Sequence, residues 1–413
     1  MLVRLTIGPA KDDGGSGEIA ALATSAGARV VGSAGGRRPA PDPATYAGKG
    51  KVEEIAQVCE RTGADIVIFD HALTGVQQRN LEQALGRRVV DRVSLILDIF
   101  AQRARSADGK LQVELAQLEH LATRLVGGWT HLERQRGGSG LRGPGVTQLE
   151  TDRRLIAKRV KLLRDRLKRV AVGRAVQSRT RQRARVRTVA LVGYTNAGKS
   201  TLFNRMTRER VHAADQLFAT LDTTLRRVYV PGAGDVVLSD TVGFIRDLPH
   251  HLVASFHSTL AEVIESDLLL HVVDLSSADA ERHMEVVERT LAEIGAGANA
   301  RLVVFNKADA VADRIVAASV RANAPGSIEV SAAKATGLDE LARRVSEIVR
   351  SSQPEAELRI PASAGRLLAL IGEKATVVEQ TWEGDEVRMR LRATSRDLAQ
   401  IREELTLVRS KRT

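Results

Sequence analysis

The chain has a single cysteine, Cys59, among 413 residues. An internal disulfide is therefore impossible, and a reducing cytosol is the natural setting. Long apolar runs are missing too. The best, Leu268–Val273, already contains His271 and falls well short of the roughly 18 residues a membrane span needs. The amino terminus carries Arg4 and then Asp12 and Asp13 around a short apolar stretch, unlike a secretory signal. Aromatic residues make up 3%, too few to stack on single-stranded bases as a main mode of binding. No His, Cys or carboxylate cluster has the spacing of a protein-held metal site. Membrane and secreted readings are excluded. A cytoplasmic protein is expected, and its length suggests two to four domains.

Charge is plentiful but unevenly placed. The chain carries +12 overall. The stretch Leu149–Arg187 holds fifteen Lys or Arg against three acids, so this one segment accounts for the whole imbalance. Such a segment cannot neutralise itself through i,i+4 pairs and suits a polyanion, with phosphates of folded RNA favoured over stacked bases.

The pattern predicts an α/β multidomain chain. Residues 1–109 read as an N-terminal α/β domain, with strands at Leu2–Ile7, Arg29–Gly32 and Asp65–Asp70, helices at Glu18–Ala26, Val52–Arg61 and Val76–Leu85, and a loop at Gly32–Pro43. Residues 110–186 read as a long antiparallel helical hairpin. Leu111, Leu115, Leu118, Leu121 and Leu125 mark its first helix, the basic stretch its second, and Gly137–Gly145 a glycine-rich tip. Residues 187–350 alternate strand and helix as a nucleotide domain with a mostly parallel sheet. A proline-bearing linker, Ser351–Pro361, leads to a small α+β domain, 358–413, with strands at Ala375–Gln380 and Glu386–Arg392.

The chemistry lies in that third domain. The strand Thr188–Val192 runs into Gly193-Tyr194-Thr195-Asn196-Ala197-Gly198-Lys199-Ser200. This spacing lets backbone N–H groups curl around a β-phosphate, puts Lys199 between β- and γ-phosphates, and gives Mg²⁺ the Ser200 hydroxyl. A second strand ends in Asp240-Thr241-Val242-Gly243, where Asp240 can face the metal through a water and the Gly243 amide the γ-phosphate. A third ends in Asn306-Lys307-Ala308-Asp309. The Asp309 carboxylate can accept from the ring N–H and the exocyclic amine of guanine, a pair adenine lacks. After the strand Ile328–Val330, Ser331, Ala332 and Ala333 can offer N–H groups to guanine O6. Four such loops, in order, each at the carboxyl end of a strand, predict a site for GTP and GDP. The loop Phe218-Ala219-Thr220-Leu221-Asp222 offers a second hydroxyl for Mg²⁺; spacing alone does not choose among Thr220, Thr223 and Thr224. Phe244, after Gly243, has no polar atom to orient a water, so slow hydrolysis stimulated by a partner is expected.

Strings outside these loops make the chain resemble the HflX family of translational GTPases in the Obg-HflX superfamily. They include Tyr46–Glu54 (YAGKGKVEE), Leu95–Ala104 (LILDIFAQRA), Lys110–Leu118 (KLQVELAQL), the Gly137–Glu150 tip and Thr241–His250 (TVGFIRDLPH). The resemblance implies a Ras-like P-loop GTPase domain and GTP hydrolysis with Lys199, Thr220 and Gly243 at the reacting phosphate. It also implies Ser200 and Thr220 on Mg²⁺, and association of a monomer with the large ribosomal subunit and its rRNA to dissociate or rescue ribosomes under stress. The sequence departs from the family at Val146, where glutamate is usual, and at Thr223, where proline is usual. Two other readings use the same residues. Phe244 suits a GTP-gated RNA-binding protein with vestigial hydrolysis, and the basic hairpin suits an ATP-driven RNA-remodelling enzyme.

Overall fold

In the computed structural model the described residues are 1–8, 16–134, 144–184, 187–207, 217–246, 257–351, 355–393 and 395–410. The first domain is a four-stranded parallel sheet in the order β2-β1-β3-β4, from β1 (Leu2–Ile7), β2 (Ser33–Arg38), β3 (Ile66–Phe69) and β4 (Arg88–Asp91). Helices α1 (Ser16–Ser25), α2 (Lys49–Thr62), α3 (Gly75–Leu85) and α4 (Arg92–Arg103) accompany it. The second strand lies at Ser33–Arg38, in the stretch read above as a loop, and not at Arg29–Gly32. Its residues, SAGGRR, have no apolar alternation because it is an edge strand, exposed along most of its length and held by backbone pairing to β1 alone. Asp91 caps α4 by accepting from the Ser94 N–H at 2.9 Å.

Two long helices follow, α5 (Ala107–Arg134) and α6 (Pro144–Ala184). They lie side by side, with Arg159 on Glu114 (2.6 Å) and Arg164 on Glu119 (2.8 Å). The middle of α5 is fixed to the first domain, where Arg124 reaches Asp91 at 2.7 Å. Most of the expected tip, Gly137–Gly143, falls outside the described residues.

The nucleotide domain carries a six-stranded sheet in the order β10-β9-β8-β5-β7-β6. Its strands are β5 (Arg187–Gly193), β6 (Thr224–Val230), β7 (Gly234–Asp240), β8 (Leu268–Asp274), β9 (Arg301–Asn306) and β10 (Ile328–Glu329). Only β6 pairs antiparallel, at the edge. The central β5 is buried on both faces, which explains its unbroken apolar run. Register aligns the strand ends: Gly193 pairs with Val272, Asp240 with Leu191, and Asn306 with Asp274. All the sequence motifs therefore emerge at one edge of the sheet.

The last unit is a three-stranded antiparallel sheet, β11 (Glu355–Pro361), β13 (Glu386–Arg392) and β12 (Thr376–Glu383), with helices Gly365–Lys374 and Ser395–Ser410. Residues Glu355–Pro361, read above as linker, form β11. The signal is a period of two, with Ala356 and Ile360 buried and Glu355, Glu357 and Arg359 exposed, and the proline closes the strand.

Candidate nucleotide-binding site

The phosphate loop joins β5 to α7 (Lys199–Thr207). Gly198 has φ +90, and a Cβ there would meet Asn306 Nδ2 at 2.2 Å, so only glycine lets the two loops approach. Lys199 is buried; its ammonium donates to the carbonyls of Gly193 (3.1 Å) and Tyr194 (2.9 Å). Burial lowers its pKa to about 8, against the pull of Asp240.

Beside it three oxygens converge. Ser200 Oγ lies 2.6 Å from Thr220 Oγ1, and Asp240 Oδ2 accepts from Ser200 at 2.7 Å and from Thr220 at 3.0 Å. Asp240 Oδ1 is buried without a hydrogen-bond partner among the described residues. Burial pushes the Asp240 pKa upward, against the bonds from Ser200 and Thr220 and the charge of Lys199. Hydroxyls backed by a carboxylate suit a small hard cation, and Thr220 is the threonine of this loop seen bonded to Ser200 and Asp240 among the described residues.

The opposite end of the groove is braced by Asn306. Its Nδ2 donates to the Ala197 carbonyl at 2.9 Å, and its Oδ1 accepts from the Ala332 N–H at 3.0 Å. The Ser331 N–H is used on Thr336 and that of Lys334 on Ser331 Oγ. Arg205, on α7, fixes the carbonyls of Ala332 (2.9 Å) and Ala333 (2.8 Å). Of the three residues expected to offer an N–H, Ala333 is the one whose N–H has no bond among the described residues. The Ser331 hydroxyl holds the Asp309 carboxyl below its ordinary pKa, so it is ionised as an acceptor for guanine must be. Lys307, in a left-handed conformation (φ 60), reaches Asp274 at 2.7 Å.

Three family models match the chain: "GTP-binding GTPase N-terminal" over residues 15–101, "GTP-binding GTPase Middle Region" over 103–181, and "50S ribosome-binding GTPase" over 188–307. The GTPase HflX of Escherichia coli K12 is 50% identical over 371 residues, 89% of this chain and 87% of the relative. The chain belongs to the HflX GTPase family. The HflX GTPase of Magnetococcus marinus is 51% identical over 338 residues, 82% of this chain and 78% of its own. Among solved structures, a GTP-binding protein of Sulfolobus solfataricus with GDP aligns with 85% of this chain and 99% of its own at 22% identity and TM-score 0.43.

This HflX chain is thus a GTP-binding GTP hydrolase, and hydrogen bonds join its phosphate loop to Thr220 and Asp240 on one side and to Asn306 on the other. Sequence reasoning missed what holds the switch loops. Arg92, nearly inaccessible, ties Glu18 and Asp70 (2.5 Å) of the first domain to the Arg246 carbonyl (3.1 Å) beyond Gly243. Glu18 also accepts from the Tyr194 hydroxyl in the phosphate loop. Burial would raise the Glu18 pKa, but Arg92 and Tyr194 hold it below the ordinary value. Phe244 is buried with Phe218 and Tyr194 in a core shared with the first domain, and its backbone bonds the phosphate loop, its carbonyl accepting from Thr195 N at 2.7 Å and its N–H donating to Gly193 O at 3.1 Å. A charged Arg92 at the head of the apolar-rich stretch Val93–Phe100, broken only by Ser94 and Asp98, was the available signal.

Proposed function

We propose that this GTPase works, as a monomer in the cytoplasm, on the large ribosomal subunit, binding its RNA through the basic hairpin and dissociating or rescuing ribosomes under stress. The observation that carries the reading is α6, where Arg153, Arg154, Lys158, Lys161, Arg166, Lys168 and Arg169 are all exposed. A ridge of cations on a helix braced against α5 suits phosphates of a folded RNA. The family description of residues 188–307 as a 50S ribosome-binding GTPase supports the choice of RNA. Among the described residues no helix is long and apolar enough to cross a membrane.

At the nucleotide, Asp309 takes the guanine ring N–H and exocyclic amine, and the Ala333 N–H takes O6. The phosphate loop and Lys199 hold the β- and γ-phosphates. Mg²⁺, held by Ser200 and Thr220 with Asp240 behind them, would neutralise charge on those phosphates. The Gly243 amide meets the γ-phosphate, and the segment Phe218–Asp222 carries Thr220 to it. Phe244 gives the attacking water no polar partner, so rapid turnover waits for a group from outside the chain. Adding large ribosomal subunits should therefore raise GTP turnover by about tenfold or more, a modest part of the range such partners supply. A GTP analogue should carry the protein into the subunit peak on sedimentation, and GDP should not. Binding without stimulation would favour the GTP-gated RNA binder.

A further inference from the structure

We propose that Asp222 is a positioning residue: seated on the first turn of α5, it holds Thr220 against Ser200 and Asp240, so that the metal-binding threonine and the head of the hairpin move together. The proposal rests on the reading of Thr220 as a cation ligand and adds what holds it there.

Both Asp222 oxygens are spent on the junction between the first domain and the hairpin. Oδ2 accepts from the N–H groups of Arg105 (2.9 Å) and Ser106 (2.8 Å), and Oδ1 from the Ser106 hydroxyl (2.5 Å). Ser106 in turn caps α5, its Oγ accepting from the Gly109 N–H at 2.8 Å. A carboxylate bonded to backbone N–H groups at a helix amino terminus gains from charge-assisted bonds and from the helix dipole. The seat has been kept open: a Cβ on Gly109 would stand 2.2 Å from Asp222 Oδ1. Nothing in nucleotide chemistry requires glycine in the first turn of α5; this contact does.

The other side of Thr220 is anchored as well. The Leu217 N–H donates to Ser25 Oγ at 3.1 Å, and the Phe218 N–H to Thr195 Oγ1 at 2.9 Å. The Phe218 ring meets Phe100 edge-on, centroids 4.6 Å apart. Thr220 thus sits in a span pinned at both ends, and every pin but Thr195 belongs to the first domain or the head of α5. Ordering a loop costs conformational entropy, and a loop already pinned loses less when the γ-phosphate and cation engage it. GDP does not engage it, since such switch loops are released with that phosphate. Asp222 therefore favours triphosphate over diphosphate. By linkage, the triphosphate in turn secures the carboxylate on α5.

The test uses the full chain with Mg²⁺, the non-hydrolysable analogue GMPPNP, and GDP. Hydrogen exchange is followed over residues 217–224 in the nucleotide-free protein. Asp222→Ala should weaken GMPPNP by about tenfold, within the usual range of coupling between sites, and leave GDP within about twofold. Exchange over 217–224 should quicken, and Asp222→Asn, which keeps one acceptor oxygen, should recover part of both effects. Gly109→Ala should reproduce the loss from the hairpin side without altering the nucleotide domain. Equal losses for GMPPNP and GDP, no loss for either, or unchanged exchange would overturn the proposal. If Gly109→Ala fails to fold, Asp222→Ala decides alone. Failure of the underlying reading looks different: Thr220→Ala would then bind GMPPNP with wild-type Mg²⁺ dependence, whatever the exchange result.

Discussion

The two ends of the nucleotide groove are built on different plans. The base end is self-sufficient: Asn306, Asp309, Ser331 and Ala332 all come from loops of one sheet, and their bonds close among themselves, the phosphate loop and α7. The switch end borrows its supports. Glu18, Asp70, Arg92 and Ser106 lie outside the nucleotide domain, yet they hold Tyr194, Arg246 and Asp222. The proposed guanine contacts can thus stay constant while the first domain and hairpin hold the loop proposed to meet the γ-phosphate.

The sharpest way to break the comparison is at Arg92. Arg92→Met should leave Glu18 and Asp70 with Arg246 as their remaining shared cation, at a cost of about 3 kcal/mol to the docked arrangement, the low end for breaking a buried pair. The first melting transition should move down clearly, while the preference for GDP over ADP stays as in the wild type. A variant that melts normally would show that the ion network contributes nothing net. A variant that loses purine selectivity would show that the two ends are not independent.

The base end should break in the opposite way. Asp309→Asn removes the acceptor for the guanine N–H groups and should weaken GTP and GDP together, by about 100-fold, because a buried polar edge left unpaired is strongly penalised. Xanthine nucleotides, whose carbonyl meets the new amide, should regain affinity. Competition binding with labelled GDP measures all four ligands. Unchanged GTP affinity would remove Asp309 from the site.

These two residues also mark how far the sequence could be read. Asp309 was legible because its partners are encoded within a few residues of strand ends, at spacings that backbone geometry fixes. The strands β5, β7 and β9 announced themselves by apolar runs buried on both faces. β2 did not, since an edge strand rich in glycine has no side-chain pattern to show. β11 was hidden by a proline that ends it and does not prevent it. Arg92 and Asp222 were visible as residues, but their meaning depends on which distant segment packs against them. Arg92 bonds across |i−j|=154 and Asp222 across |i−j|=116, and no local period encodes such a pairing.

The smallest effect should come from pH, and it isolates the phosphate end. Burial lowers the Lys199 pKa to about 8, from 10.5 in an exposed lysine. Phosphate oxygens beside the ammonium favour its charged form and raise that pKa in the complex. Well below pH 8 both free and bound protein carry the proton, and affinity is flat. As pH rises through about 8 the free protein sheds it while the complex keeps it, so GDP affinity should fall by up to about tenfold per pH unit. Stability of the free protein should move the other way. Between about 8 and 10.5 the unfolded chain holds a proton that the folded one has lost, so folding gains as pH rises. Asp309 stays ionised through this range, because its pKa lies below the ordinary carboxylate value, so the GDP-to-ADP preference should not drift. Calorimetry in buffers of different ionisation heat should find uptake of about half a proton on GDP binding near pH 8. Proton-neutral binding there, with affinity level to about pH 9, would mean that Lys199 is charged before the phosphates arrive.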